Sequence, residues 1–230
     1  MSQERCIGLI GGLGIGAAVH YYTKLAEAHA QRGVGMELVM AHAETSRVFA
    51  FVRSGDRDGL AAYLTNFVRR LEAAGAEFAV LPAVTPHFCA RELAETSPLP
   101  LLNIFEPLIA ELSVRSIKRV AVFGTRFVMD SDLFGMVSDV EIIHLRSEEA
   151  DYVHRTYMEL VERRKGSEEQ HRGLTELAQT LCRRDGAEAI LLAGSELALL
   201  FHDANTDFPS LDCAALHLRA ITNHLFGETR

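Results

Sequence analysis

A repeat at about half the chain length constrains this sequence more than any other feature. Gly75-Ala76-Glu77-Phe78-Ala79-Val80-Leu81-Pro82-Ala83-Val84-Thr85 lines up with Gly186-Ala187-Glu188-Ala189-Ile190-Leu191-Leu192-Ala193-Gly194-Ser195-Glu196, an offset of 186 − 75 = 111 residues. Each copy runs from a helix-ending glycine through Gly-Ala-Glu and an apolar strand into small polar residues. A second echo pairs the strand and glycine turn at Ile7 to Gly12 with Ala121 to Thr125, at an offset of about 113 residues. In a chain of 230 residues this predicts two related lobes.

Short apolar runs alternate with longer amphipathic segments. The runs are Cys6 to Ile10, Leu38 to Met40, Phe78 to Leu81, Leu101 to Ile104, Val120 to Phe123, Ile142 to Ile143 and Ile190 to Leu192. Alternation of this kind builds βαβ units, and continuously apolar strands belong to parallel sheets covered on both faces. Helices are expected over 58–74, closed by Gly75, and over 148–164, ending in the basic cluster Arg163-Arg164-Lys165-Gly166. The fold class is therefore α/β, with two pseudo-symmetric lobes, each a parallel sheet flanked by helices. Lobe one is expected over 1–115, lobe two over 116–205, and a C-terminal return over 206–230 packing on lobe one.

In open α/β sheets ligands bind beyond the carboxyl ends of the strands, so a ligand cleft is expected between the lobes. It would be lined by Gly11 to Gly16, Ala83 to His87, Gly124 to Arg126 and Gly194 to Glu196. Gly12-Leu13-Gly14-Ile15-Gly16-Ala17 formally satisfies the dinucleotide fingerprint, but the second strand ends in Met40-Ala41-His42 and offers no acid for a ribose. The favoured reading is a close approach of backbone amides to a small anionic group.

Composition narrows the function classes. With 23 basic against 31 acidic residues, the net charge of −8 repels a polyphosphate, so nucleic acid is not an expected partner. The longest apolar stretch is broken at Glu196, so no membrane span is expected, and the polar Met1 to Arg5 does not resemble a leader. Cys6, Cys89, Cys182 and Cys213 are widely spaced, as for reduced thiols in the cytoplasm. The dispersed histidines form no metal motif.

Six segments in order resemble the successive motifs of the aspartate/glutamate racemase family, over nearly the whole chain. They are Gly8-Leu9-Ile10-Gly11-Gly12-Leu13-Gly14 with Tyr21-Tyr22; Ala74 to Glu77; Thr85-Pro86-His87; Val122 to Met129; Gly194-Ser195-Glu196; and Asp212-Cys213-Ala214-Ala215-Leu216-His217. The resemblance implies cofactor-independent racemisation of acidic amino acids, as a homodimer. One cysteine thiolate takes the Cα proton and a thiol of the other lobe returns one to the opposite face.

At both thiol positions this sequence departs from the family. Where the first motif reads Cys-Asn-Thr, this chain has Ala83-Val84-Thr85, and where the second reads Gly-Cys-Thr-Glu it has Ala193-Gly194-Ser195-Glu196. The two positions are repeat mates, since 83 + 111 = 194. Neither alanine nor glycine carries a proton-transferring atom, so two-thiol racemisation is expected to be lost. The resemblance further implies that a family lysine falls on Tyr152 and that an arginine contacting substrate in some members corresponds to Arg47.

The retained motifs supply the candidates. Glu196 is either a carboxylate base or an orienting residue, and His87 is either a general acid or a loop-fixing residue. Thr85 and Ser195 are hydroxyl donors to a substrate carboxylate or helix caps. Gly11, Gly12, Arg47 and Thr125 complete the expected binding set. Cys89 and Cys213 are either displaced thiols or buried structural cysteines. The expected partner is a small carboxylate or amino acid with no cofactor and no metal. The expected activity is a divergent isomerase or lyase, the alternative being a non-catalytic binding or regulatory protein.

Overall fold

A computed structural model describes residues 5–202 and 204–227, which form two compact units. The first comprises the described residues up to Ile104 together with those from His217, and the second runs from Phe105 to Leu216. In chain order the first unit contains β1 (Ile7–Gly11), α1 (Ile15–Arg32), β2 (Leu38–His42), α2 (Thr45–Ser54), α3 (Arg57–Ala73), β3 (Phe78–Val80), α4 (Ala90–Thr96) and β4 (Leu101–Leu102). A single-turn helix, Thr85–Cys89, joins β3 to α4. The second unit contains α5 (Phe105–Val114), β5 (Arg119–Phe123), α6 (Arg126–Asp130), β6 (Glu141–Ile143), α7 (Ser147–Arg163), α8 (Glu168–Asp185), β7 (Ala189–Leu192) and β8 (Ser210–Asp212). The last helix, α9 (Cys213–Phe226), starts in the second unit and continues into the first.

Each unit is built on a four-stranded, wholly parallel sheet, with orders β2-β1-β3-β4 and β6-β5-β7-β8. The register carries the sequence repeat through the fold. Ile7 pairs with Phe78 and Val120 with Ala189, so 78 + 111 = 189 and 7 + 113 = 120 identify equivalent residues. Ala79 pairs with Leu101 where Ile190 pairs with Ser210, which makes β4 and β8 equivalent although their sequences share no motif.

The repeated Gly-Ala-Glu has a backbone cause in each half. Gly75 and Gly186 take the left-handed conformation that ends a helix, at φ 92° and 73°. The following alanines are buried. Glu77 then accepts from the Cys6 N–H at 3.2 Å, and Glu188 accepts from the equivalent Arg119 N–H at 3.1 Å. A carboxylate thus holds the start of the central strand in both units.

The cores follow from the apolar spacing. In the first unit Leu60, Leu64, Val68 and Leu71 of α3 pack against the sheet around Ile7, Leu9 and Ile10, all fully buried. In the second, Val153 and Leu160 of α7, Leu174, Ala178 and Leu181 of α8, and Val120, Ala121, Ile190 and Leu191 of the sheet are likewise fully buried. Each such Val, Leu or Ile side chain contributes about 1.5–3 kcal/mol of burial. The edge strand β2 departs from the expected double coverage: none of its residues is fully buried, because it has a neighbour on one side only.

Helices expected over 58–74 and 148–164 are found at Arg57–Ala73 and Ser147–Arg163. The unit boundaries fall elsewhere than the expected 115/116 and 205/206. Residues 105–114 go with the second unit, and so do 206–216, because β8 pairs with β7. Only the part of the C-terminal return from His217 onward belongs to the first unit. Among the described residues no helix is long and apolar enough to cross a membrane. Met1 to Glu4, part of the segment considered for a leader, lie outside the described residues.

Candidate functional site

In the second unit the carboxyl ends of β5 and β7 carry Gly124-Thr125 and Ala193-Gly194-Ser195-Glu196, and α7 covers them with His154 and Tyr157. Thr125 caps α6, its Oγ1 accepting from the Val128 N–H at 3.3 Å. His154 Nδ1 accepts from the Arg126 N–H at 3.2 Å, which places the proton of a neutral ring on Nε2. Ser195 Oγ donates to Glu196 Oε2 at 3.1 Å. The Tyr157 hydroxyl donates to the same oxygen at 2.5 Å.

Glu196 is 4% exposed, and its second oxygen, Oε1, is buried with no hydrogen-bond partner among the described residues. Burial, and then the adjacent Glu196 carboxylate, push the Tyr157 phenol well above its ordinary range, so it stays protonated and donates. Tyr152, where the resemblance implies a family lysine, is directed elsewhere: its hydroxyl lies 2.1 Å from where a Cβ on Gly173 of α8 would be. It therefore packs between α7 and α8 and does not join the Glu196 cluster.

In the first unit three turns carry the expected residues: Gly11-Gly12 after β1, Arg47 in α2 after β2, and Ala83 to His87 after β3. His87 is buried, with Nδ1–H donating to the Ala83 carbonyl at 2.8 Å and Nε2 accepting from the Ile104 N–H at 3.3 Å. Both ring nitrogens are thus engaged by backbone, the loop-fixing alternative in geometric terms. Desolvation outweighs the Ala83 bond and lowers the ring to about 4, so the imidazole is neutral at pH 7. Ala83 offers only a methyl group, and Thr85 is the half-buried first residue of the short helix. Arg47 is exposed, its guanidinium 4.7 Å from the Tyr63 ring centroid.

Neither candidate replacement thiol has the surroundings of a reactive one. Cys89 is buried, donates weakly to the Pro86 carbonyl at 3.5 Å, and is pushed up to about 12 by desolvation and then by Glu92. Cys213 is buried and raised further, by desolvation and then by Asp212. A thiol so placed holds its proton at neutral pH. Among the described residues no three His, Cys, Asp or Glu side chains converge to hold a metal ion.

The glycine turn also has a packing cause. A Cβ on Gly12, at φ 80°, would lie 1.8 Å from the Ala43 carbonyl oxygen, and one on Gly11 would lie 2.9 Å from Met40 Sδ. The Ala43 N–H donates to Gly11 O at 2.8 Å and Thr45 Oγ1 donates to Gly12 O, so the turns after β1 and β2 are clamped together. Gly12→Ala is expected to cost about 3 kcal/mol or more through an unfavourable φ and a displaced β2 exit. Urea unfolding would check it, and an unchanged midpoint would refute the clamp.

Sequence reasoning singled out Glu196, Ser195 and Gly194, which the structure brings together, and missed Tyr157 and His154. The available signal was a tyrosine on the buried face of a helix, since a buried phenol needs a polar partner.

Two parallel four-stranded α/β units of the same strand order, each with polar groups at the carboxyl ends of its strands, define a duplicated α/β fold. The sequence model of the Asp/Glu/hydantoin racemase family matches residues 10–221, and the chain belongs to that family. Among solved structures it is similar to a protein of Yersinia pestis provisionally described as an Asp/Glu racemase, at 23% identity and a TM-score of 0.82, over 96% of this chain and 99% of that one. An aspartate racemase homologue from Pyrococcus horikoshii OT3 matches at 23% identity and a TM-score of 0.79, over 98% and 100%. Allantoin racemase from Klebsiella pneumoniae matches at 15% identity and a TM-score of 0.61, over 97% and 88%. At these identities the likeness is one of fold.

Proposed function

We propose that this chain acts on a small amino acid or related carboxylate as a divergent, cofactor-independent isomerase or lyase, with Glu196 as its single base. One observation carries the reading: a buried carboxylate with one oxygen held by Tyr157 and Ser195 and the other without a partner. Buried side-chain polar atoms usually have a partner, and Glu92 Oε2 and Thr175 Oγ1 are the other exceptions among the described residues, neither of them in a strand-end loop of the second unit's sheet. His87 is committed to backbone and the cysteines are held protonated, which leaves Glu196 as the best-placed acceptor.

The chemistry of one base differs from that of two. Proton removal breaks the Cα–H bond, sends the proton to Glu196 Oε1 and moves the electron pair into the ligand carboxylate as an enediolate. Return from the same atom restores the original configuration, so exchange with solvent outpaces inversion. A β-leaving group would instead depart with that electron pair. The partner is a small molecule rather than nucleic acid or membrane, in keeping with a net charge of −8, and the family resemblance supports a cytoplasmic homodimer.

The test is incubation in D₂O with each enantiomer of aspartate and glutamate, following the carbon-bound proton by NMR and configuration by circular dichroism. Exchange faster than inversion for at least one ligand is expected. Inversion as fast as exchange would overturn the single-base reading. A ligand-dependent rise in melting temperature without exchange would replace it with the non-catalytic binding protein, which the lack of a proton-transferring atom at Ala83 and Gly194 already favours as the second reading.

A further inference from the structure

Position 194 lacks a side chain for a reason that lies on α7. The Gly194 backbone, at φ −153° and ψ 123°, is ordinary extended chain, so conformation does not demand glycine. Space does. A Cβ there would lie 2.3 Å from Tyr157 Cε2, 2.8 Å from Cζ and 3.1 Å from Cδ2, all inside van der Waals contact. The same ring carries the hydroxyl that bonds Glu196 Oε2 at 2.5 Å, and Glu196 lies two residues beyond Gly194.

We propose that Tyr157 and Glu196 act as a pair in place of the missing second thiol: the ring fills the volume that a side chain at 194 would need, and the hydroxyl fixes the carboxylate with Oε1 left for the ligand. The catalytic half of this rests on the reading of Glu196 as the base; the steric half stands without it. Tyr157 is a positioning residue, since its proton stays on the phenol and the ligand's proton travels to and from Oε1. Glycine at 194 is then the complement of Tyr157, and returning a cysteine there would not by itself return a usable thiol.

Two measurements separate this from a merely structural tyrosine. In a double-mutant cycle read by urea unfolding, Gly194→Ala should lower the midpoint in the parent chain and be tolerated when Tyr157→Ala is also present. If Tyr157→Ala does not fold, Tyr157→Val supplies the smaller side chain. In protein labelled with ¹³C at the glutamate carboxyls, Tyr157→Phe should move the Glu196 signal, identified by its disappearance in Glu196→Gln, whereas Tyr22→Phe on the exposed face of α1 should not. Tyr157→Phe should also reduce the exchange rate about 10-fold at saturating ligand with little change in KM, the loss of one hydrogen bond to a charged group.

Additive effects in the cycle would overturn the steric half, and an unmoved carboxyl signal would overturn the pairing. Coupling and a moved signal, with no exchange of any ligand, would uphold the pair and count against the base reading alone.

Discussion

Glu196→Gln is expected to abolish deuterium exchange into the ligand, by about 100- to 10,000-fold, while leaving the protein folded and able to bind. The substitution is close to isosteric, and the amide oxygen can still accept from Tyr157 and Ser195, the two donors now on Oε2. The amide nitrogen would stand where Oε1 has no protein partner, so the unfolding free energy should change by no more than about 1 kcal/mol. The negative charge and the capacity to accept a proton are lost together. Cys89→Ala and Cys213→Ala should leave exchange intact, because both thiols stay protonated at neutral pH. Exchange measured by NMR decides the matter: activity that survives Glu196→Gln and disappears with either cysteine would move the base to a displaced thiol.

What could be read in advance divides along a physical line. Features set by neighbours along the chain were visible in the sequence: Gly75 and Gly186 mark helix ends because the chain leaves a helix there through a left-handed residue. Features set by pairing at long range were not. The short strand Ser210–Asp212 joins β7 through backbone bonds that carry no sequence signature, and this moves the segment before His217 into the second unit.

The site divides the same way. Ser195 and Glu196 were legible as a motif, whereas Tyr157 falls between Val153 and Leu160 at the spacing of any buried helical stripe. Its hydroxyl becomes informative only once Gly194 is seen to lack room for a Cβ. Gly11 and Gly12 were legible as special positions but not for their observed cause, since a glycine that admits a ligand and one that admits a neighbouring turn look alike in sequence.

The first unit should be strongly acid-labile between about pH 6.5 and 4. His87 and His217 lie in one buried cluster, ring centroids 6.3 Å apart, and desolvation lowers them to about 4 and about 3. His217 donates from Nε2 to the Leu102 carbonyl at 2.9 Å and accepts on Nδ1 from Tyr21 at 3.1 Å. His87 is tied in its neutral form as well, because a second ring proton would face the Ile104 N–H donor. The sign follows from proton counting: below the ordinary value near 6.5 the unfolded chain binds two protons that the native fold refuses until about 4 and about 3. Their stabilisation is complete above that value and is lost as pH falls, at about 1.4 kcal/mol per unit for each ring. Across two pH units that is roughly 5 kcal/mol, comparable with the whole stability of an ordinary domain. Lowered surface carboxylates such as Glu141, Glu149 and Asp185 act in the same direction but only below their ordinary range near pH 4, so the histidine window is distinct. Melting temperature measured from pH 7.5 to 4.5 should fall steeply below 6.5, and His217→Gln, which keeps the donor to Leu102, should flatten the slope by about half. A flat profile down to pH 5 would show that the two rings take up protons in the native state, and the neutral buried pair would have to be abandoned.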